Sequence, residues 1–279
     1  MKLWKAHGLG NDYLVLETAD ALSPERVRDV CDRHSGVGGD GILEPFDAGA
    51  HADFGVRIWN PDGSIAEKSG NGLRIFARWL LKERGAPSVF SLWTGTCKVG
   101  CRADRGQISV EMGLPSFAPS DVPIRSENEW IERAITLQGE SVVATAVGMG
   151  NPHCVVFREE ALDGLPWRRW GAELERHELF PNRTNVQIAR VISEHEVEIR
   201  IHERGAGETQ ASGSSSCGVV AAGVRTGRLR AGRVRVSMPG GELFVTSSER
   251  GLLLEGPVEP IGRIEVDSDW LTRRRMSEG

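Results

Sequence analysis

Apolar and polar residues alternate in HADFGVRIWN (residues 51–60) and EVEIRIHE (196–203), the period-two pattern of strands with one buried face. RVRVSMPGGELFVTSS (233–248) keeps that alternation on both sides of Pro239-Gly240-Gly241, which predicts a hairpin turning there. The period changes in SPERVRDVCDRH, where Ser23 and Pro24 predict the N-cap and first residue of a helix. GLRIFARWLLKERG, from Gly72 to Gly85, is apolar on nearly every face and predicts a buried helix. GETQASGSSSCGVVAAG (207–223) is a Gly/Ser-rich turn opening into a small-residue helix, a combination that lets a ligand approach backbone N–H groups closely.

The pattern also repeats. VRIWNPDGSIAEKSG (Val56–Gly70) aligns without a gap on IRIHERGAGETQASG (Ile199–Gly213), 143 residues on, which sets Ser69 on Ser212. GLGNDYLVL aligns on GMGNPHCVV, with Asn11 on Asn151 and Tyr13 on His153, and DRGQISVEMG aligns on ERGLLLEG. Three matches in one order indicate two copies of a single α/β unit, far too long for a solenoid repeat. Pro115, Pro119 and Pro123 in GLPSFAPSDVP break any regular element and mark the junction. The expected domains are 1–115 with 262–279, the chain crossing back after Gly256, and 116–261. The fold class is α/β of the α+β type.

With 279 residues, 39% of them hydrophobic and 26% charged, the chain has the make-up of a globular protein with a sizeable core. No apolar run approaches the length of a membrane span, and MKLWKAHGLGNDY lacks the apolar region of a signal peptide, so a cytoplasmic protein without a membrane partner is expected. A net charge of −5 argues against nucleic acid, and the run Arg273 to Arg275 reads as a solvated terminus. Cys31, Cys97, Cys101, Cys154 and Cys217 have neither a disulfide framework nor zinc-site spacing, so reduced thiols and no metal are expected. Trp167 and Trp170 in WRRW are expected to cover the core or a contact between copies.

Two helix N-termini related by the repeat offer two sets of free N–H groups and two positive dipole ends, an arrangement suited to a carboxylate. Around one interdomain cleft they would also present one side chain to each face of a bound molecule. Such a pair can take a proton from one side of a carbon and return one from the other.

HGLGNDY, NPDGS, SGNGLR, GMGNPH, NRTN and ERGAGET together resemble diaminopimelate epimerase, in the group that includes proline racemase and the PhzF-type isomerases. The likeness runs from Lys5 to about Gly256. It implies two pseudo-symmetric domains, each a curved, mainly antiparallel sheet wrapped around a central helix. It also implies a homodimer that uses neither metal nor pyridoxal phosphate and takes a small amino-acid substrate with a second charged group. By resemblance, Asn11, Asn60, Asn151 and Asn185 hold the amino-acid groups and Arg204 grips the distal carboxylate. Gly70, Asn71 and Gly72, with Gly213 and Ser214, form the turns that bind the reacting carboxylate, and His153 and Glu203 stand beside the two acid/base groups. In the family those two groups are cysteines; here they are Ser69 and Ser212.

A thiol at a helix N-terminus yields a usable thiolate near neutral pH, whereas a serine hydroxyl needs an adjacent base. Three readings stay open: an epimerase in which His153 and Glu203 support the serines or act directly as bases, a related isomerase or dehydratase, and a paralogue that binds without turnover. Each residue also has an ordinary role. Ser69 and Ser212 suit N-caps, His153 suits a satisfied core histidine, and Asn11 and Asn151 suit Gly-rich turns. Glu203 and Arg204, adjacent on a strand, point to opposite faces. Cys217, five residues past Ser212, is expected to be buried beyond reach, and Cys154 to face away from His153.

Overall fold

The computed structural model describes residues 1–104 and 107–276. Residues 105 and 106 of the third sequence match, residues 277–279 and the side chains of the Arg273–Arg275 run lie outside that description. Contacts divide the chain into two compact units, Met1–Val110 with Pro257–Gly279 and Glu111–Gly256.

In the first unit, β1 (Lys2–Gly8) and β2 (Asn11–Leu16) form an antiparallel hairpin whose last pair is Gly8 with Asn11. Leu9 and Gly10 both have positive φ (56° and 86°), as a two-residue turn matched to strand twist requires. Helix α1 (Pro24–Cys31) is capped by Ser23, whose Oγ accepts the Arg26 N–H, and leads to β3 (Ile42–Phe46), parallel to β2. β4 (Phe54–Trp59) returns antiparallel on β3, and the short β5 (Ile65–Ala66) folds back on β4. Helix α2 (Gly70–Glu83) then crosses to β6 (Val89–Trp93), parallel to β4, and β7 (Lys98–Asp104) and β8 (Gln107–Gly113) continue antiparallel, the unit boundary falling within β8 after Val110.

The second unit repeats this order. β9 (Arg133–Leu137) pairs antiparallel with β10 (Glu140–Gly148), and β10 with β11 (Pro152–Arg158). Helix α3 (Trp167–Glu175) precedes β12 (Asn185–Ser193), parallel to β11. β13 (Glu196–Glu203) and the short β14 (Gly207–Thr209) follow antiparallel. Helix α4 (Gly213–Arg225) crosses to β15 (Arg233–Met238), parallel to β13, and β16 (Gly241–Ser248) and β17 (Gly251–Gly256) complete the set antiparallel. The β15–β16 hairpin turns at Pro239-Gly240, with Met238 opposite Gly241. One strand is permuted. β18 (Glu259–Glu265), near the C-terminus, pairs antiparallel with β1 as β9 pairs with β10. Helix α5 (Ser268–Met276) closes the described chain.

The central helices form because their sequences have little to offer water. In α2 every residue from Gly70 to Ala77 is buried, with Trp79 and Leu80, and each large apolar side chain removed from water contributes about 1.5–3 kcal/mol. It starts two residues before the Gly72 expected from the apolar run, because Ser69 caps it. Helix α4 packs against β10, β11, β12, β16 and β17, and its glycines allow the approach. A Cβ on Gly223 would come within 2.5 Å of Leu229 Cδ1. The Pro-rich segment after Gly113 belongs to the second unit, with Val122 and Ile124 in a core that includes Trp167 and Trp170.

Candidate functional site

Ser69 is the N-cap of α2 in extended conformation, and its Oγ accepts the Gly72 N–H at 3.0 Å. Tyr13 Oη lies 3.1 Å from the same oxygen. The hairpin turn delivers Asn11 to the start of β2, where its Nδ2 donates to Asp40 (2.7 Å) and its Oδ1 accepts from Asn71 Nδ2 (3.0 Å). Asn71 Oδ1 in turn accepts from Arg74 at 2.8 Å, and that guanidinium, fully buried, also donates to the Gly70 carbonyl. Gly70 and Gly72 are buried in the first turn. Asp40 is held by Arg33, and Asp12 by both Arg33 and Lys5. Burial opposes ionisation of Asp12, but these two cations outweigh it and hold its carboxyl below the usual range. Asn60 is engaged in its own turn, with Nδ2 donating to Ser64 Oγ.

The second unit places Ser212 identically. It caps α4 in extended conformation, is 4% exposed, and its Oγ accepts the Ser215 N–H at 3.4 Å. Gly213 is buried and Ser214 half-buried in the first turn. His153 is completely buried, with Nε2 at 2.8 Å from Asn151 Oδ1 and Nδ1 at 3.1 Å from Gln187 Nε2. Gln187 Nε2 also donates to Ser215 Oγ at 2.9 Å. Asn151, His153, Gln187, Ser215 and Ser212 thus form one hydrogen-bonded path. Because the Gln187 amide donates to Nδ1, the ring carries its proton on Nε2 and gives it to Asn151. Burial, the largest cause, pushes the His153 pKa down to about 3, and the Arg204 charge acts in the same direction. A ring with both nitrogens engaged and no solvent orients its neighbours, so the sequence-based alternative of His153 as a direct base does not fit this geometry.

Asn185 donates to the Pro152 carbonyl (2.9 Å) and accepts the Arg204 N–H (3.0 Å). Arg204 is exposed and Glu203 half-buried at the end of β13. The loop between them and β14 is pinned by Glu175, 2% exposed, which accepts the Gly205 N–H at 2.9 Å. Cys154 and Cys217 are buried, and burial pushes the Cys154 thiol up to about 12. Among the described residues, no group of three or more His, Cys, Asp or Glu is arranged to hold a metal ion.

Asp40, Arg74, Glu175, Gln187 and Ser215 were not candidates from sequence. One of them left a trace: Arg74 is a charge within the run of α2 that is buried from Gly70 to Ala77.

A family model described as diaminopimelate epimerase matches residues 3–118 and 145–259. Diaminopimelate epimerase 2 of Nostoc sp. is 43% identical over 253 residues, covering 88% of each chain. Diaminopimelate epimerase of Aromatoleum aromaticum is 37% identical over 279 residues, covering 96% of this chain and 99% of that one. Among solved structures, a probable proline racemase from Agrobacterium radiobacter superposes with a TM-score of 0.68 at 14% identity, covering 96% of this chain and 93% of that one. A PhzF-family protein from Bacillus anthracis gives 0.67 at 15% identity, covering 96% and 99%. At that identity these two structures speak for the fold alone.

Proposed function

Since the chain belongs to the diaminopimelate epimerase family, we propose that it interconverts the LL and meso forms of diaminopimelate, or a close analogue, by proton transfer on both sides of Cα without a cofactor. On this reading Ser69 and Ser212 are the two acid/base groups. The N–H groups of the turns at Gly70–Gly72 and at Gly213 and Ser214 receive the reacting carboxylate, whose charge matches the helix N-termini. Asn11, Asn60, Asn151 and Asn185 hold the amino-acid groups, since an amide can both donate and accept. Arg204 takes the distal carboxylate, which a guanidinium fork suits. His153 acts through Asn151 and Glu203 stands beside the reacting centre. The same resemblance suggests a homodimer working in the cytoplasm.

One observation carries the reading: in both copies of the repeat the same position, N-cap of the same central helix, holds an oxygen-bearing side chain. Hydroxyls are weaker acids than thiols, so turnover is expected to be slow. A second reading, an amino-acid-binding protein or an isomerase of an easier reaction, draws on the same oxygens, because each already accepts a cap N–H. Replacing both serines by cysteine separates the two. On the epimerase reading, kcat on LL-diaminopimelate rises by about tenfold or more, since a helix N-terminus favours thiolate. Unchanged or lost turnover in the folded double variant would contradict this substrate.

A further inference from the structure

We propose that Tyr13 is the proton-relay partner of Ser69, an inference that rests on Ser69 being one of the two acid/base groups. Tyr13 Oη lies 3.1 Å from Ser69 Oγ, and either atom can donate. The Gly72 N–H already occupies one lone pair of that oxygen. What remains on Ser69 is one lone pair and one proton, enough to face Tyr13 on one side and a substrate carbon on the other. Tyr13 is 6% exposed, and its ring is closed in on one side by Gly41, where a Cβ would lie 2.7 Å from Cε1. The charged groups on the surrounding elements, Asp12, Lys5, Arg33 and Asp40, are bound to one another. Asp12 precedes Tyr13 on β2, so its side chain leaves the strand on the opposite face.

A phenol ionises near pH 10, while an alkyl hydroxyl is a much weaker acid that needs an adjacent base. With Tyr13 as phenolate, the Cα proton passes to Ser69 Oγ while the serine's own proton passes to Tyr13 Oη. The Cα–H bond and the original Ser69 O–H bond break, a new Ser69 O–H and a Tyr13 O–H form, and the electron pair stays on the substrate. The reverse sequence returns a proton to carbon, and no co-reactant is consumed. Tyr13 is a positioning and relay residue, because it reaches the substrate only through Ser69. The relay has no copy in the second unit: the aligned His153 spends both nitrogens on Asn151 and Gln187.

The chain contains a single tyrosine, so tyrosinate absorbance in an alkaline titration of the full-length protein reports Tyr13 alone. Ser69→Ala removes the donor to the phenolate and is expected to raise the midpoint by about half a pKa unit or more. Ser69→Cys, which substitutes a weak donor, gives the same direction if the alanine variant does not fold. An unchanged or lowered midpoint overturns the proposal. The second arm reads Cα–H exchange with D2O on diaminopimelate. Tyr13→Phe is expected to cost about tenfold in the native chain but about threefold or less in the Ser69→Cys background, where a thiolate no longer needs the phenol. Equal losses in both backgrounds mean a structural role and also overturn it. If the native chain exchanges nothing while the tyrosine midpoint still moves, the epimerase reading fails and takes the relay with it, although the hydrogen bond stands.

Discussion

A serine that caps a helix commits one lone pair to a backbone N–H, as Ser69 does toward Gly72 and Ser212 toward Ser215. What the hydroxyl can then do depends on its other neighbours, and these differ between the units. Ser69 meets a phenol, while Ser212 is connected through Ser215 and Gln187 to a buried, neutral His153. That histidine makes its own prediction. Its folded pKa of about 3 lies below the ordinary 6.5, so between those values the unfolded chain binds the extra proton. The stability this contributes is complete above about pH 6.5 and drains away as pH falls toward 3. Denaturant midpoints of the native chain should therefore drop faster from pH 7 to 4 than those of His153→Asn. Parallel pH profiles would mean that His153 is not the buried neutral ring described.

At the scale of the element, α4 is a helix made of small residues because large ones would not fit. Gly218 faces His153, and a Cβ there would stand 3.1 Å from the ring's Cγ. In an exposed helix Gly→Ala gains about 1 kcal/mol, but this ring is tied at both nitrogens and cannot step aside. Gly218→Ala is accordingly expected to destabilise the chain by about 1 kcal/mol or more, seen as a lower denaturant midpoint; a stabilised variant would contradict the packing. Both buried helices and the strands Phe54–Trp59, Glu196–Glu203 and Arg233–Met238 were legible as periodicity. The start of α2 was not, because the apolar run marks which face is buried and not where the first capped turn closes. Gln187 and Asp40 were illegible as site residues for a different reason. Their meaning lies in hydrogen bonds to residues 34 and 29 positions away, which no local pattern encodes.

Across the whole molecule the duplication is the dominant fact, and it was visible in the sequence as three matches in one order. Strand for strand, β1 to β8 and β10 to β17 pair with the same partners in the same sense. The permuted strand left no such trace. Glu259–Glu265 follows the last aligned residue, Gly256, and is almost entirely exposed, so neither homology within the chain nor alternation announced it. The unit boundary was placed by prolines, which interrupt regular structure without preventing a segment from packing, and Val122 and Ile124 pack. The chain belongs to the diaminopimelate epimerase family, and a hydroxyl stands at each of the two equivalent caps; that these two hydroxyls carry a two-sided proton transfer is the proposal to be tested. The most direct measurement of that claim is incubation of the native chain with LL-diaminopimelate in D2O, following Cα deuterium and the stereoisomer ratio together. Slow appearance of the meso form with solvent deuterium at the inverted carbon is expected. Recovery of LL-diaminopimelate undeuterated and uninverted, from protein that binds it, would contradict it.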